Sequence, residues 1–123
     1  MSVAYWILQG LLAAAMALAG ALKLAAGKDG LIDNPRMGWV EDASNRQVRA
    51  LGSIEVAGAI GLILPWGLDI APALTPIAAI GVAALMAGAV TVHIRRGEAR
   101  DLAPAIGLGV IAVVIAIGRF AGL

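Results

Sequence analysis

The amino-acid sequence predicts an all-α fold: an integral membrane four-helix bundle, a single domain over residues 1–123. Three observations carry this. Four apolar runs, near 3–26, 46–68, 73–93 and 102–120, are separated mostly by short polar loops. Each approaches the roughly 20 residues a helix needs to cross a hydrocarbon core. Hydrophobic residues make up 61% of the chain and charged residues 14%, with a mean hydropathy of +0.92. A soluble domain carries roughly 25% charged residues. Ala and Leu dominate the runs, which favours helices over a transmembrane barrel.

The first helix starts near Val3 and ends near Gly27. Tyr5 and Trp6 lie at its start, where amphipathic rings prefer the membrane interface. Lys23 lies about one turn inside the far end. Its stem can snorkel to the headgroups, or it can turn inward and pair with an acid. The connection from Lys28 to Ala43 is the one long loop, with a turn signal at Asp33-Asn34-Pro35 and Trp39 expected at the interface. Such a loop is expected to form a short interfacial segment or a lid.

The second helix has a readable start, because Ser44-Asn45-Arg46-Gln47 fits the capping-box pattern. Its apolar run holds one carboxylate, Glu55, with Gly52 and Gly58 about one turn to either side. Those glycines, and Gly61 beyond them, let another backbone approach. A lone acid in an apolar run is costly against lipid, so Glu55 is expected to face protein or water. Pro65, Trp66 and Gly67 mark the other interface. The third helix opens at Thr75-Pro76, carries a small-residue stripe of Gly81, Ala84, Gly88 and Thr91, and closes at His93. That stripe suits packing within the chain or between copies of it, so a homo-oligomer is one expectation. The fourth helix follows a charged loop, with Asp101 as expected cap and Pro104 in its first turn. Arg119-Phe120 at its end is expected to snorkel.

Loops 1 and 3 hold Lys28, Arg36, Arg46, Arg95, Arg96 and Arg100, and the opposite side holds Arg119. This asymmetry places loops 1 and 3 in the cytoplasm and both termini outside. A net charge of +1 suggests no nucleic-acid partner; the expected surroundings are the lipid bilayer. The absence of cysteine excludes disulfide and thiolate chemistry within the chain, and no metal site is expected.

With that topology, Lys23, Glu55 and His93 fall in the same leaflet on three helices, with Arg49 close by. They can form an ion-pair cluster that fixes helix register. They can also form the polar, ligand-binding end of a small-molecule cavity, in which a quinone is the candidate ligand. One histidine cannot supply both axial ligands to a bis-histidine haem, and no flavin or nicotinamide motif is present.

The pattern Arg49-x-x-Gly52-x-x-Glu55-x-x-Gly58-x-x-Gly61-Leu62-x-Leu64-Pro65 resembles the second helix of the DoxX-like membrane proteins. Leu74-Thr75-Pro76 through Gly81, and Ala89-x-x-x-His93-x-Arg95-Arg96-Gly97-Glu98, resemble their third helix and loop. The resemblance implies a small four-helix protein of the bacterial inner membrane. It also implies a link to membrane redox or stress functions and a membrane redox partner. The favoured expectation is an accessory or lipophilic-ligand-binding bundle rather than an enzyme. Any activity would be that of a quinone-linked oxidoreductase subunit. The alternative is a small proton-coupled transporter or channel. Small multidrug transporters resemble this chain in outline, but they carry their acid in the first helix.

Overall fold

The computed structural model describes residues 2–122, and the side chains of Ser2, Pro35, Arg36 and Asp101, including the expected Asp101 cap, lie outside that description. The helices are α1 (Ser2–Leu31), α2 (Asn45–Gly67), α3 (Leu74–Arg95) and α4 (Leu102–Phe120). Among the described residues all four are long and apolar enough to cross a membrane. Large apolar side chains such as Leu18 (73% exposed) and Ile117 (67% exposed) point away from the bundle, the arrangement lipid favours. The interior is held by Leu12 and Met16 of α1, Leu62 of α2, Val82 of α3 and Ile115 of α4. The four helices match the expected spans to within a few residues at most ends. The exception is α1, which continues to Leu31.

That extension follows a break. Gly27 has φ 62° and ψ −170°, a left-handed backbone that favours glycine, and one further helical turn follows it. In an unbroken helix the Leu24 carbonyl would accept from the Lys28 N–H. Here Lys28 N–H donates to Asn45 Oδ1 at 3.0 Å, and Arg49 Nη1 donates to the Leu24 carbonyl at 2.6 Å. Both replacement partners come from the first turns of α2. The long loop then folds back as a 3-10 segment over Pro35–Asp42. Val40 of that segment is buried with Leu31 and Val48, and Met37 and Trp39 pack beside them. The loop therefore closes one end of the bundle instead of trailing along the interface. The Ser44 capping box forms as the sequence predicts.

A second break is set by Pro65 inside α2. Proline has no N–H, so the Gly61 carbonyl loses its usual donor. The Thr75 hydroxyl of α3 donates to that carbonyl at 3.0 Å and accepts from Trp66 N–H at 3.2 Å. The Leu62 carbonyl accepts from Gln9 Nε2 of α1 at 2.6 Å, and Arg119 Nε of α4 donates to Gln9 Oε1 at 2.5 Å. One proline thus draws polar groups from the other three helices.

Glycines bring two pairs of helices close. A Cβ built on Gly20 would sit 2.6 Å from the Gly52 carbonyl oxygen, so α1 and α2 cross backbone to backbone. A Cβ on Gly61 would sit 2.9 Å from Ala78 Cβ, and one on Gly58 would sit 3.4 Å from Val82 Cγ2, so α2 and α3 meet there. Replacing Thr75 by Val would leave the Gly61 carbonyl and Trp66 N–H without their partner in a dry setting, at a cost of about 2 kcal/mol. Thermal unfolding in one detergent is expected to show this loss for Thr75→Val and little for Thr75→Ser. The loss is expected to shrink in a Pro65→Ala background, where the helix can supply its own donor.

Candidate functional site

The Gly20–Gly52 crossing determines what happens one turn away. With the backbones that close, Lys23 of α1 reaches Glu55 of α2, Nζ to Oε1 at 2.7 Å, with both side chains 7% exposed. Lys23 therefore turns inward and does not snorkel. The contact is an attraction of charges at short range, since Oε1 has no well-aligned hydrogen bond among the described residues. Above it the Trp39 ring lies 5.9 Å from Nζ, within reach of a cation–π interaction.

This pair and His93 line a cavity of about 770 Å³. Its volume is in the range of small-molecule sites. Met16 and Ala19 of α1, Leu51 and Ile54 of α2, Leu85 and Ala89 of α3 and Leu108 of α4 supply apolar walls. The polar groups gather at one end, which we call the Lys23 end. A second depression of about 340 Å³ between α3 and α4 is lined only by apolar residues and offers no chemistry.

The expected site residues do not all converge. Lys23 and Glu55 touch, and His93 shares their cavity, but its Nδ1 meets Glu98 Oε1 at 2.9 Å rather than Glu55. Arg49, expected beside them, is exposed and bound to the Leu24 carbonyl, away from the cavity. Gly52, Gly58 and Gly61 lie at helix contacts. Gly81 and Gly88, expected to pack against a helix, have nothing within 4 Å of an added Cβ; instead they edge the cavity.

At the opposite end Arg119 is buried, 3% exposed, instead of snorkelling. Its Cζ lies 4.4 Å from the Trp66 ring centre, 5.3 Å from Tyr5 and 5.5 Å from Trp6. Gly118 makes room for Tyr5, whose ring occupies the place a Cβ would take. Sequence reasoning places these aromatics at one interface but does not find the cage. The available signal is Gln9, a lone amide in an apolar run.

The model of the DoxX-like family matches residues 7–116. The chain belongs to the DoxX-like family. No curated protein and no solved structure matches it. In this DoxX-like bundle the matched span takes in Lys23, Glu55, His93 and every wall of the cavity. Arg119 lies just outside it.

The Lys23 end is tied down by Arg96, which follows α3. It bonds Asp42 Oδ2 at 2.5 Å and Glu98 Oε2 at 3.3 Å, with Glu41 at 3.8 Å. The 3-10 segment carrying Trp39 is thus latched to the end of α3. The hydrogen bond from His93 holds the Glu98 carboxyl below the usual range; desolvation opposes this and Arg96 adds to it. A carboxyl with a lowered native pKa stabilises the fold above its unfolded value of about 4.3. That contribution is lost as pH falls through the lowered native value. Trp39 emission is therefore expected to shift red as pH falls below about 4, the unfolded glutamate range. Glu98→Gln is expected to show the loosened emission already at neutral pH, with less further change on acidification.

Proposed function

We propose that this DoxX-like protein binds a small lipophilic molecule, quinone-like in having a polar head and an apolar body, and serves membrane redox or stress functions as an accessory bundle. The observation that carries the proposal is the shape of the cavity: apolar walls over about 770 Å³ with a buried ion pair at one end. Lys23 Nζ carries three N–H groups and Glu55 several lone pairs, while each has only one charged partner among the described residues. A carbonyl on the ligand would accept from Lys23, and a hydroxyl would donate to Glu55. His93 and Glu98 lie at the same end, where a proton could be exchanged with the water side. The arginine and lysine bias of the loops supports an orientation with this end in the cytoplasm and both termini outside, and the DoxX-like resemblance implies the inner membrane of a bacterium. The site residues proposed on this reading are Lys23, Glu55 and His93.

Decylubiquinone titrated into the protein in lipid nanodiscs is expected to quench tryptophan emission, with most of the quenching lost in Trp39→Phe. Removing the Glu55 charge by Glu55→Gln is expected to weaken binding about tenfold, the equivalent of exchanging one charged hydrogen bond for a neutral one. Absence of quenching in the unmodified protein would remove the ligand from the proposal.

A further inference from the structure

We infer that the cavity is entered sideways from the bilayer, through a gap between α2 and α3 at the Lys23 end. Its occupant is then a molecule that reaches the site dissolved in lipid. This inference rests on the binding reading above and adds the route, and with it the residues that control access.

The gap follows from how α2 and α3 meet. They touch at Gly61 and Ala78, and again at Gly58 and Val82. Ile54 lies seven residues before Gly61, two turns along the same face of α2 and about 10 Å toward the Lys23 end. There the contact has gone. Ile54 is 55% exposed although it lines the cavity. Near that level Ala84 and Gly88 of α3 line the cavity and are exposed, and a Cβ on Gly88 would meet nothing within 4 Å; Gly81, equally open, lines the cavity beside Val82, where the gap begins to widen. The two helices therefore form a wedge, closed at Gly61 and open two turns further on.

The other sides of the cavity are lined by less exposed residues. The end of the bundle toward water is covered by Met37 and Trp39 on the 3-10 segment, latched by Arg96 to Asp42 and Glu98. On the α1 and α4 walls Ala15, Ala19 and Leu108 are only partly exposed, and Pro104 is the one exposed lining residue. The open edge, at the level of Ile54, lies inside the apolar span of α2, so it faces hydrocarbon and not water. A charged solute would meet lipid before it met the ion pair. A lipid-soluble molecule with a neutral hydrogen-bonding head would slide in head first toward Lys23 and Glu55.

The small residues are what keep the mouth wide, and the open space beside them makes the test clean. Gly81→Leu and Gly88→Leu add bulk at positions where a Cβ meets nothing within 4 Å. Gly107→Leu is the control, since Gly107 also faces open space but does not line the cavity. Decylubiquinone is the probe, delivered from lipid vesicles to protein in nanodiscs, with Trp39 quenching followed in time and at equilibrium. The mouth variants are expected to slow both entry and release about tenfold, a larger effect than any change they make in the equilibrium midpoint, as a raised barrier does. Gly107→Leu is expected to match the unmodified chain. Unchanged rates in both mouth variants, with quenching intact in the parent, would overturn the side entrance and leave the binding reading standing. A weakened midpoint with an unchanged entry rate would put the glycines in the seat and not the doorway, and would overturn it equally. No quenching in the parent would defeat the binding reading and the entrance together.

Discussion

The ion pair between Lys23 and Glu55 is the constraint around which the bundle is arranged. An isolated charge at this depth is too costly to leave against lipid. The pair is tolerable only if two helices bring the groups together and keep hydrocarbon away. Gly20 and Gly52 meet the first condition, because only paired glycines let the α1 and α2 backbones come so close. A Cβ on Gly52 would lie 2.9 Å from Lys23 Cβ, so even a methyl group there would push the lysine stem aside. The other two helices and Trp39 meet the second. Because α3 stands away from α2 beside the pair, the shelter is a cavity and not a packed core.

The same demand for satisfied polar groups shapes the two helix breaks. Within lipid, a backbone carbonyl without a donor costs several kcal/mol. Gly27 and Pro65 each interrupt a helix, and each break is closed by side chains from a neighbour: Arg49 and Asn45 at one, Thr75 and Gln9 at the other. These bonds fix register at opposite ends of the bundle. The Arg119 end is thereby knotted through all four helices, with aromatic rings around the guanidinium. The Lys23 end is held by one ion pair and a latched loop. It is the end with the open space and the buried ion pair, and the ligand proposed above would sit there.

Much of this can be read from the residues, and the rest fails for physical reasons. The four spans follow from length and apolarity, and the start of α2 from its capping box, because these are local signals. Glu55 stands out because a single acid in an apolar run needs shelter wherever the other helices lie. That Lys23 turns inward is not local: it depends on the Gly20–Gly52 approach, which joins residues 32 apart in sequence. Arg49 sits on the right helix near the right depth, yet it is drawn off by the Leu24 carbonyl, orphaned when Gly27 breaks α1. The Gly81 and Gly88 stripe meets no other helix of the same chain, and composition alone does not distinguish a stripe that packs within the chain from one that does not. The Arg119 cage is hidden because terminal arginines and aromatics each have an ordinary interfacial role.

The most direct measurement is a double-mutant cycle on the pair, read as thermal stability in one lipid nanodisc. Lys23→Met and Glu55→Gln are each expected to lower stability, by about 3 kcal/mol for Lys23→Met, which leaves a buried carboxylate without its partner. The double variant is expected to be less damaged than the sum, since no lone charge remains. Losses that simply add would contradict the account, because they would mean that the two groups do not depend on each other in the folded bundle.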